Sequence, residues 1–419
     1  MIRKHVIAFK RRKFAVEVRI PRQLHLVGNM RRIIQSRVCL WLTSFLLSAT
    51  VGFSSERPCE NESGPASKNA KGDQNKQPLV ELSRFEFTEV HMGTQFKLTV
   101  YAEKKSIANK AAASAYARIK ELNSILSDYD PESELMSLCR NSQPDQPVKV
   151  SKELFTVLKE SQRISKLSAG AFDVSVGPVV KLWRRSRRQK KLPMDERLAE
   201  ARGLVDYRKI QLDEDSQTVE LMKPGMRLDL GGIAKGYAGD EALSVLRKHG
   251  IRSALIDAGG DIVAGDPPPG SSAWQISIEA ADSNKKATRN IYLANAAVAT
   301  SGDAYQYVEI NGTRYSHIVD PHTGLGLTDR SSVTVIAKTG MEADALASTV
   351  SVLGPTKAVM WASFPGIPRV SALIVAMRDG LPKHVTTGAF AQYFDRPGSK
   401  DTRKDLNKLY GKGRRLKQR

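Results

Sequence analysis

The spacing of apolar residues changes type several times along this chain. From residue 85 to residue 101 every second position tends to be apolar, as in Phe96, Leu98 and Val100, which is typical of strands. Apolar residues at helical spacing predict helices over 106–126, 151–168, 195–204 and 341–354. Short strands are predicted within 207–230 and at 253–257, 273–279, 289–300, 333–336 and 371–377.

One stretch near the middle of the chain joins two element types through a pair of glycines. Met226–Leu230 is predicted to be a short strand, followed by Gly231-Gly232 and a helix that continues to about Lys248. Glycines allow a close approach of the backbone to a ligand, and a helix start offers unpaired N–H groups. With Lys235 as a point charge, this pattern predicts a phosphate or pyrophosphate site. The alternative is a strand-to-helix turn without a ligand.

The net charge of +21 on 419 residues is distributed unevenly. Residues 1–55 carry eleven Lys/Arg and one acid, and residues 396–419 carry ten Lys/Arg and two acids. The 340 residues between these two segments therefore hold only +3. A nucleic-acid-binding domain concentrates positive charge on a folded surface, so this distribution argues against nucleic acid as a partner. The basic run 181–191 is interpreted as a solvated surface.

The N-terminal segment resembles an export signal. Met30-Arg31-Arg32 and Arg37 precede an apolar stretch over 38–53, which is shorter than the roughly 20 residues of a membrane span. We therefore expect an exported, periplasmic or otherwise extracytoplasmic protein. An uncleaved anchor in the inner membrane remains the alternative, and Met30 is a candidate true start. The predicted organisation is an extension with the signal (1–55), a linker (56–80), one catalytic domain (81–395) and a basic tail (396–419).

Cysteine and histidine usage gives little indication of a structural metal. The three cysteines do not form a Cys/His cluster with zinc spacing. Cys59 and Cys139 could pair in an oxidising compartment, which the sequence leaves open.

The densest polar segment is 314–324, where His317 precedes an Asp-Pro turn. A histidine with an ordinary pKa near 6.5 suits a general base at neutral pH. Further on, Asp344 and Ser348 are spaced i and i+4, so they share one helix face. A carboxylate and a hydroxyl so placed can hold a hard cation such as Mg²⁺, the alternative being a helix with polar caps.

Several short motifs follow one another along residues 85–395. They are Met92-Gly93-Thr94, the loop from Ser127-Asp128-Tyr129 to Ser133-Glu134-Leu135, Gly170-Ala171-Phe172-Asp173-Val174, Asp229 to Gly236, Gly259-Gly260-Asp261, Thr300-Ser301-Gly302-Asp303, His317 to Gly324, and Ala343 to Ala347. One such motif alone is a weak signal, and seven or eight in the expected order are a strong one. Taken in this order, over about residues 85–395, the motifs resemble the ApbE family of FAD:protein FMN transferases.

The resemblance implies a T-fold-like α/β (α+β) fold with mixed or antiparallel sheets flanked by helices. It implies Mg²⁺ and FAD, and transfer of the FMN moiety to a Thr or Ser hydroxyl of an acceptor flavoprotein, with release of AMP. The FAD site carried over by position comprises Met92, Tyr129, Ala171, Phe172, Asp173, Asp229, Lys235 and His317. His317 and Asp344 are the expected catalytic residues. The expected metal ligands are the Gly232 carbonyl, the Asp344 carboxylate and the side chain of Ser348.

This sequence departs from the family pattern at the metal site. The family usually has threonine where this chain has Ser348, followed here by Thr349. Its more acidic members carry a carboxylate where this chain has Ala347.

Two other functions remain open at this point. An FAD pyrophosphatase with water as acceptor would use the same motifs, and a non-catalytic exported FAD-binding protein would bind flavin without releasing AMP. For the acceptor, the resemblance implies a redox-complex subunit or an exported flavin carrier.

Overall fold

An eight-stranded antiparallel sheet is the centre of the computed structural model, which describes residues 81–278, 289–302, 306–367, 369–378 and 381–394. The strands are β1 (Ser83–His91), β2 (Thr94–Ala102), β3 (Val148–Lys149), β4 (Ile210–Asp213), β5 (Thr218–Leu221), β6 (Ala254–Ala258), β7 (Ile262–Ala264), β8 (Trp274–Ile278), β9 (Arg289–Leu293), β10 (Ala296–Gly302), β11 (Tyr307–Ile310), β12 (Thr313–Ser316), β13 (Ser331–Ala337), β14 (Ser371–Arg378) and β15 (Leu381–Thr387). The large sheet has the order β1-β2-β6-β7-β10-β13-β14-β15.

All pairings between the described strands are antiparallel. Three small sheets accompany the large one, with the orders β3-β5-β4, β8-β9 and β11-β12. The helices are α1 (Lys105–Leu126), α2 (Glu134–Asn141), α3 (Lys152–Leu167), α4 (Gly177–Gln189), α5 (Asp195–Arg202), α6 (Ala234–Lys248) and α7 (Gly340–Ala362). The predicted class of helices flanking antiparallel sheets is confirmed.

Each face of the large sheet is covered by a different layer, because side chains alternate along a strand. On one face, Val335 and Ile374 belong to the main core with residues of α1, α6 and α7. On the other face, Ile336 and Val375 pack with the β8-β9 hairpin and Phe390. The sheet is therefore buried on both sides at its centre.

Two glycines let α6 and α7 cross in close contact. A Cβ added to Gly236 would overlap the carbonyl oxygen of Gly340, and a Cβ added to Gly340 would overlap that of Gly236. Asp240 of α6 also accepts the backbone N–H groups of Gly340 and Met341 at 2.7 and 2.9 Å, and thereby caps α7. This crossing fixes the relative position of the two helices.

Most elements predicted from periodicity are present, with three differences. The predicted strand over Met226–Leu230 is wrong, because the segment pairs with no described strand. Instead, Leu228 donates its N–H to Cys139 Sγ, and Asp229 donates its N–H to the carbonyl of Val174. The basic run is not only a solvated surface, since it forms most of α4, which begins at Gly177.

The third difference concerns the end of a helix. Helix α7 continues past its predicted end at Gly354, where a φ of +68° before Pro355 kinks it. Phe172, which the resemblance places in the flavin site, is buried in the core.

No helix in the part of the chain described above has the length and apolar character needed to cross a membrane. The predictions on the signal, the linker and the basic tail, and the Cys59 half of the pairing question, fall outside the described residues. Cys139 has a free thiol.

We expect Gly236→Ala to lower the free energy of unfolding by about 1–3 kcal/mol, because the added methyl group overlaps backbone and forces the helices apart. Gly203→Ala is the control, since its Cβ would meet no atom closer than 3.2 Å. Urea unfolding of both variants measures the difference. Equal stability of the two variants would contradict the tight crossing.

Candidate active site

A cavity of about 1060 Å³ opens where several turns of the large sheet meet α4, α6 and α7. Its volume is slightly above the usual range for small-molecule sites, about 300–1,000 Å³. All the residues that the sequence predicted for flavin, metal and catalysis line it: Met92, Tyr129, Ala171, Phe172, Asp173, Asp229, Gly232, Lys235, His317, Asp344 and Ser348. The fold therefore brings together positions separated by more than 250 residues.

Two turns at one end of the sheet form part of the wall. Met92 and Gly93 have φ angles of +48° and +73° and close the β1-β2 hairpin. Gly259, with a φ of +72°, packs so closely on Thr94 that a Cβ would overlap the threonine hydroxyl. Because β2 pairs with β6, these turns lie side by side.

The Gly231-Gly232 turn approaches α7 closely. A Cβ on Gly232 would lie 2.8 Å from Ser348 Oγ and 3.4 Å from Phe172. The amide groups at this helix start are largely occupied, because Ile233 and Ala234 both donate to the Leu230 carbonyl at 3.1 and 2.9 Å. The expectation of several unpaired N–H groups is therefore not met here, and the positive charge comes mainly from Lys235.

Lys235 lies between two carboxylates. Its Nζ is 2.5 Å from Asp261 Oδ2 and 3.4 Å from Asp344 Oδ2, and Gly236 also donates its N–H to Asp344 at 3.2 Å. Burial and the neighbouring Asp261 raise the pKa of Asp344 to about 7, while Lys235 opposes that rise. Although burial alone lowers the pKa of Lys235, the Asp344 and Asp261 carboxylates raise it overall, so the ammonium group stays charged.

Arg184 of α4 occupies an equivalent position between a second pair of carboxylates. Its guanidinium is 2.5 Å from Asp128 Oδ2 and 3.0 Å from Asp229 Oδ2. The same group lies 3.9 Å from the ring centre of Tyr129, a cation–π contact. Burial and Asp128 raise the pKa of Asp229 to about 6, and Arg184 opposes the rise.

Tyr129 is the most accessible of the predicted flavin-lining side chains named here. It is 76% exposed, whereas Phe172 is 6% exposed. Tyr129 therefore offers a ligand in the cavity much more side-chain surface than Phe172 does.

Asp173 has both carboxylate oxygens engaged within the protein. Oδ1 accepts the backbone N–H and the hydroxyl of Ser175 at 2.8 and 2.6 Å, and Oδ2 accepts the Tyr207 N–H at 2.9 Å. Burial nevertheless raises its pKa. Although Asp173 lines the cavity, its contacts hold the loop that carries Ala171 and Phe172.

The polar segment after β12 supplies two histidines with different contacts. Nδ1 of His317 lies 3.1 Å from the carbonyl oxygen of Gln306, which favours the tautomer with hydrogen on Nδ1 and leaves Nε2 as the basic nitrogen. His322 is directed away from this position: Nε2 contacts the Ala169 carbonyl at 3.0 Å, and Nδ1 contacts Asp320 at 3.2 Å. His322 therefore joins this segment to the loop of Phe172.

The structure separates the two hydroxyls near the expected metal ligands. Ser348 lines the cavity beside Gly232. Thr349 is fully buried, and its hydroxyl donates to the Ala345 carbonyl at 2.7 Å. The described residues contain no cluster of three or more His, Cys, Asp or Glu side chains with metal-binding geometry. The available donors are hard oxygens, which Mg²⁺ accepts together with water and substrate phosphates.

Three residues of this site were not singled out as site residues from the sequence. Asp261 was present in a Gly-Gly-Asp motif that could have identified it. Asp128 was present in the loop of Tyr129. Arg184 lies inside a run of basic residues that gave no sign of which one faces inward.

Comparisons with known proteins agree with this geometry. The family model described as "ApbE family" matches residues 92–373. The chain is 35% identical over 278 residues to the FAD:protein FMN transferase of Haemophilus influenzae, covering 64% of this chain and 80% of that protein. It is 32% identical over 306 residues to the FAD:protein FMN transferase of Treponema pallidum, covering 69% and 84%.

Solved structures give the same result. The structure titled flavin transferase ApbE from Vibrio cholerae superposes with a TM-score of 0.68 at 28% identity, covering 75% of this chain and all of that one. The ApbE protein of Thermotoga maritima superposes with a TM-score of 0.67 at 29% identity, again covering 75% of this chain and all of that one.

We expect Arg184→Met to weaken FAD binding about tenfold, equivalent to about 1.4 kcal/mol, because Tyr129 loses its cation–π partner and two carboxylates face each other without a cation. Flavin fluorescence measures the affinity. Arg184→Lys should be intermediate, since lysine keeps the charge but lacks the planar fork. As a control, Arg252→Met removes an exposed Arg–Asp pair, and its FAD affinity should not change. Unchanged affinity in Arg184→Met would contradict this role.

Proposed function

This chain belongs to the ApbE family, and from that premise we propose that it transfers the FMN half of FAD to a threonine or serine hydroxyl of another protein and releases AMP. The observation that carries the proposal is the convergence of all the predicted site residues on one cavity, with Lys235 between Asp261 and Asp344 in its wall. The names of the relatives support the flavin transfer. The acceptor hydroxyl, the metal and the leaving AMP belong to the proposal.

In the proposed reaction, the acceptor oxygen attacks the phosphorus of the FMN half. A new phosphoester bond forms, and the bond from that phosphorus to the oxygen of the AMP phosphate breaks. The proton of the attacking hydroxyl goes to Nε2 of His317, and AMP leaves with the electron pair of the broken bond. Lys235 supplies positive charge to the wall of the site where negative charge must be stabilised.

The residues present fit a magnesium ion. Asp344 is 3% exposed and has a raised pKa, so a cation would stabilise its charged form. Ser348 and the backbone of Gly232 lie beside each other on the same wall. These three groups would hold Mg²⁺, which when bound would neutralise pyrophosphate oxygens.

We further propose an extracytoplasmic location, with the N-terminal segment acting either as an export signal or as an inner-membrane anchor. The support is the charged and apolar pattern of residues 30–53. The acceptor would accordingly be an exported flavin carrier or the exposed domain of a redox-complex subunit.

We expect Ser348→Ala to raise the Mg²⁺ concentration for half-maximal turnover at least about tenfold, because one oxygen donor is lost. Thr349→Val is the matched control, since its hydroxyl bonds only to the helix backbone and should affect stability rather than the Mg²⁺ requirement. AMP release from FAD, measured against Mg²⁺ concentration, provides the test. If Thr349→Val raised the Mg²⁺ requirement and Ser348→Ala did not, the metal ligand would be Thr349 instead of Ser348.

We expect His317→Ala to reduce flavin transfer by about 10²- to 10⁴-fold, because the acceptor proton loses its base. Covalent flavin that stays on the acceptor after denaturation measures transfer, and free FMN measures hydrolysis. FAD affinity, measured in parallel, should fall much less than the rate. Full transfer by the variant would rule out the proposed base, and free FMN without covalent flavin in the unaltered protein would favour the pyrophosphatase.

A further inference from the structure

The outer side of α4 carries an unusual concentration of positive charge. Seven of the eleven residues from 181 to 191 are Lys or Arg, and none is acidic. Arg184 is directed inward to its two carboxylates. The other six, which we call the basic face of α4, are Lys181, Arg185, Arg187, Arg188, Lys190 and Lys191; five of them are exposed, and Arg187 is half-buried at the edge of the cavity. Since the 340 residues outside the two basic ends of the chain carry only +3 in total, this face is a local excess.

None of these six side chains has a salt bridge or hydrogen bond within the described part of the protein. The next helix, α5, offers three acids (Asp195, Glu196 and Glu200), yet none of them pairs with the basic face. By contrast, Arg118 contacts three carboxylates. A helix C-terminus presents only about half a negative charge, so the helix dipole does not account for six cations.

The basic face borders the cavity. Val180, Arg184 and Arg187 of the same helix line the cavity, while Arg185 and Arg188 point to solvent. Just after the helix, Leu192 and Met194 are 41% and 58% exposed. Exposed apolar side chains beside arginines are a composition typical of protein interfaces.

We propose that the basic face of α4, with Leu192 and Met194, is the docking surface for an acidic region of the acceptor protein. This inference rests on the proposed function. A protein hydroxyl must enter the cavity from outside, so its carrier has to contact the surface next to the opening. Opposite charges there would accelerate and orient the encounter. An anionic membrane would also be attracted to this face, but it would bring no hydroxyl to the site.

The test compares two variants with the same change in net charge. Arg185→Glu/Arg188→Glu/Lys191→Glu reverses three exposed charges of the basic face. Lys104→Glu/Lys105→Glu/Lys110→Glu reverses three exposed charges at the start of α1, which do not line the cavity. The probes are two fluorescent peptides, each with one threonine, flanked by aspartates in one and by lysines in the other. Anisotropy measures binding, and covalent flavin on the threonine measures transfer.

We expect the unaltered protein to bind the aspartate peptide more tightly than the lysine peptide. This preference should decrease at about 1 M salt, because the Debye length, over which charges interact, is then only about 3 Å. The α4 variant should bind this peptide at least about tenfold more weakly, while the α1 variant and the FAD affinity of both should remain unchanged. Binding of the aspartate peptide by the α4 variant at the original strength, or an equal loss in the α1 variant, would overturn the proposal.

Two further outcomes separate this proposal from its alternatives. If the α4 variant keeps the aspartate peptide but loses binding to phosphatidylglycerol vesicles, measured against phosphatidylcholine vesicles, the face contacts a membrane and the proposal is overturned. If peptide binding depends on the basic face but no covalent flavin forms on threonine, the docking surface is upheld and the transferase function fails.

Discussion

The ammonium group of Lys235 between the carboxylates of Asp261 and Asp344 is the interaction on which the rest of the site depends. The three groups come from α6, the β6-β7 turn and α7, so one buried cation links three elements. Without it, two carboxylates would face each other in a buried environment, where an unpaired charge is costly. The close crossing at Gly236 and Gly340 makes the arrangement possible, because any larger residue would separate the two helices.

A second cation lies between two carboxylates on another wall of the cavity. Arg184 lies between Asp128 and Asp229, as Lys235 lies between its own pair. In each pair one acid has a raised pKa, Asp229 at about 6 and Asp344 at about 7. Each cation therefore holds two segments of the cavity wall together. The two cations and their carboxylates also determine the local charge around a bound pyrophosphate. A metal ion at Asp344 would add to a field that the protein already provides.

Helix α4 links the cavity to the outer surface. Its inward side holds the loop of Tyr129 through Arg184, and its outward side is basic and lacks internal partners among the described residues. A helix can separate these roles because residues one apart point in different directions, as Arg184 and Arg185 do here. A partner on the outer side of α4 would thus bind one turn from the residues that line the flavin cavity.

The sequence alone determined the family, the fold class and most helices and strands, and the site residues that it predicted all line one cavity. It could do so because the spacing of apolar residues indicates which face of an element is buried. In addition, several short motifs in a fixed order are specific for one family. It did not determine which arginine of α4 faces inward, that Asp261 shares Lys235 with Asp344, or that Met226–Leu230 pairs with no described strand. Only the tertiary structure decided these points, because each depends on partners far apart in the chain. The 226–230 segment bonds to Cys139 and Val174. Arg184 pairs with Asp128 and Asp229, and Lys235 pairs with Asp261 and Asp344. Local sequence records which residues are buried or charged, but the pairing of charges depends on how distant elements pack.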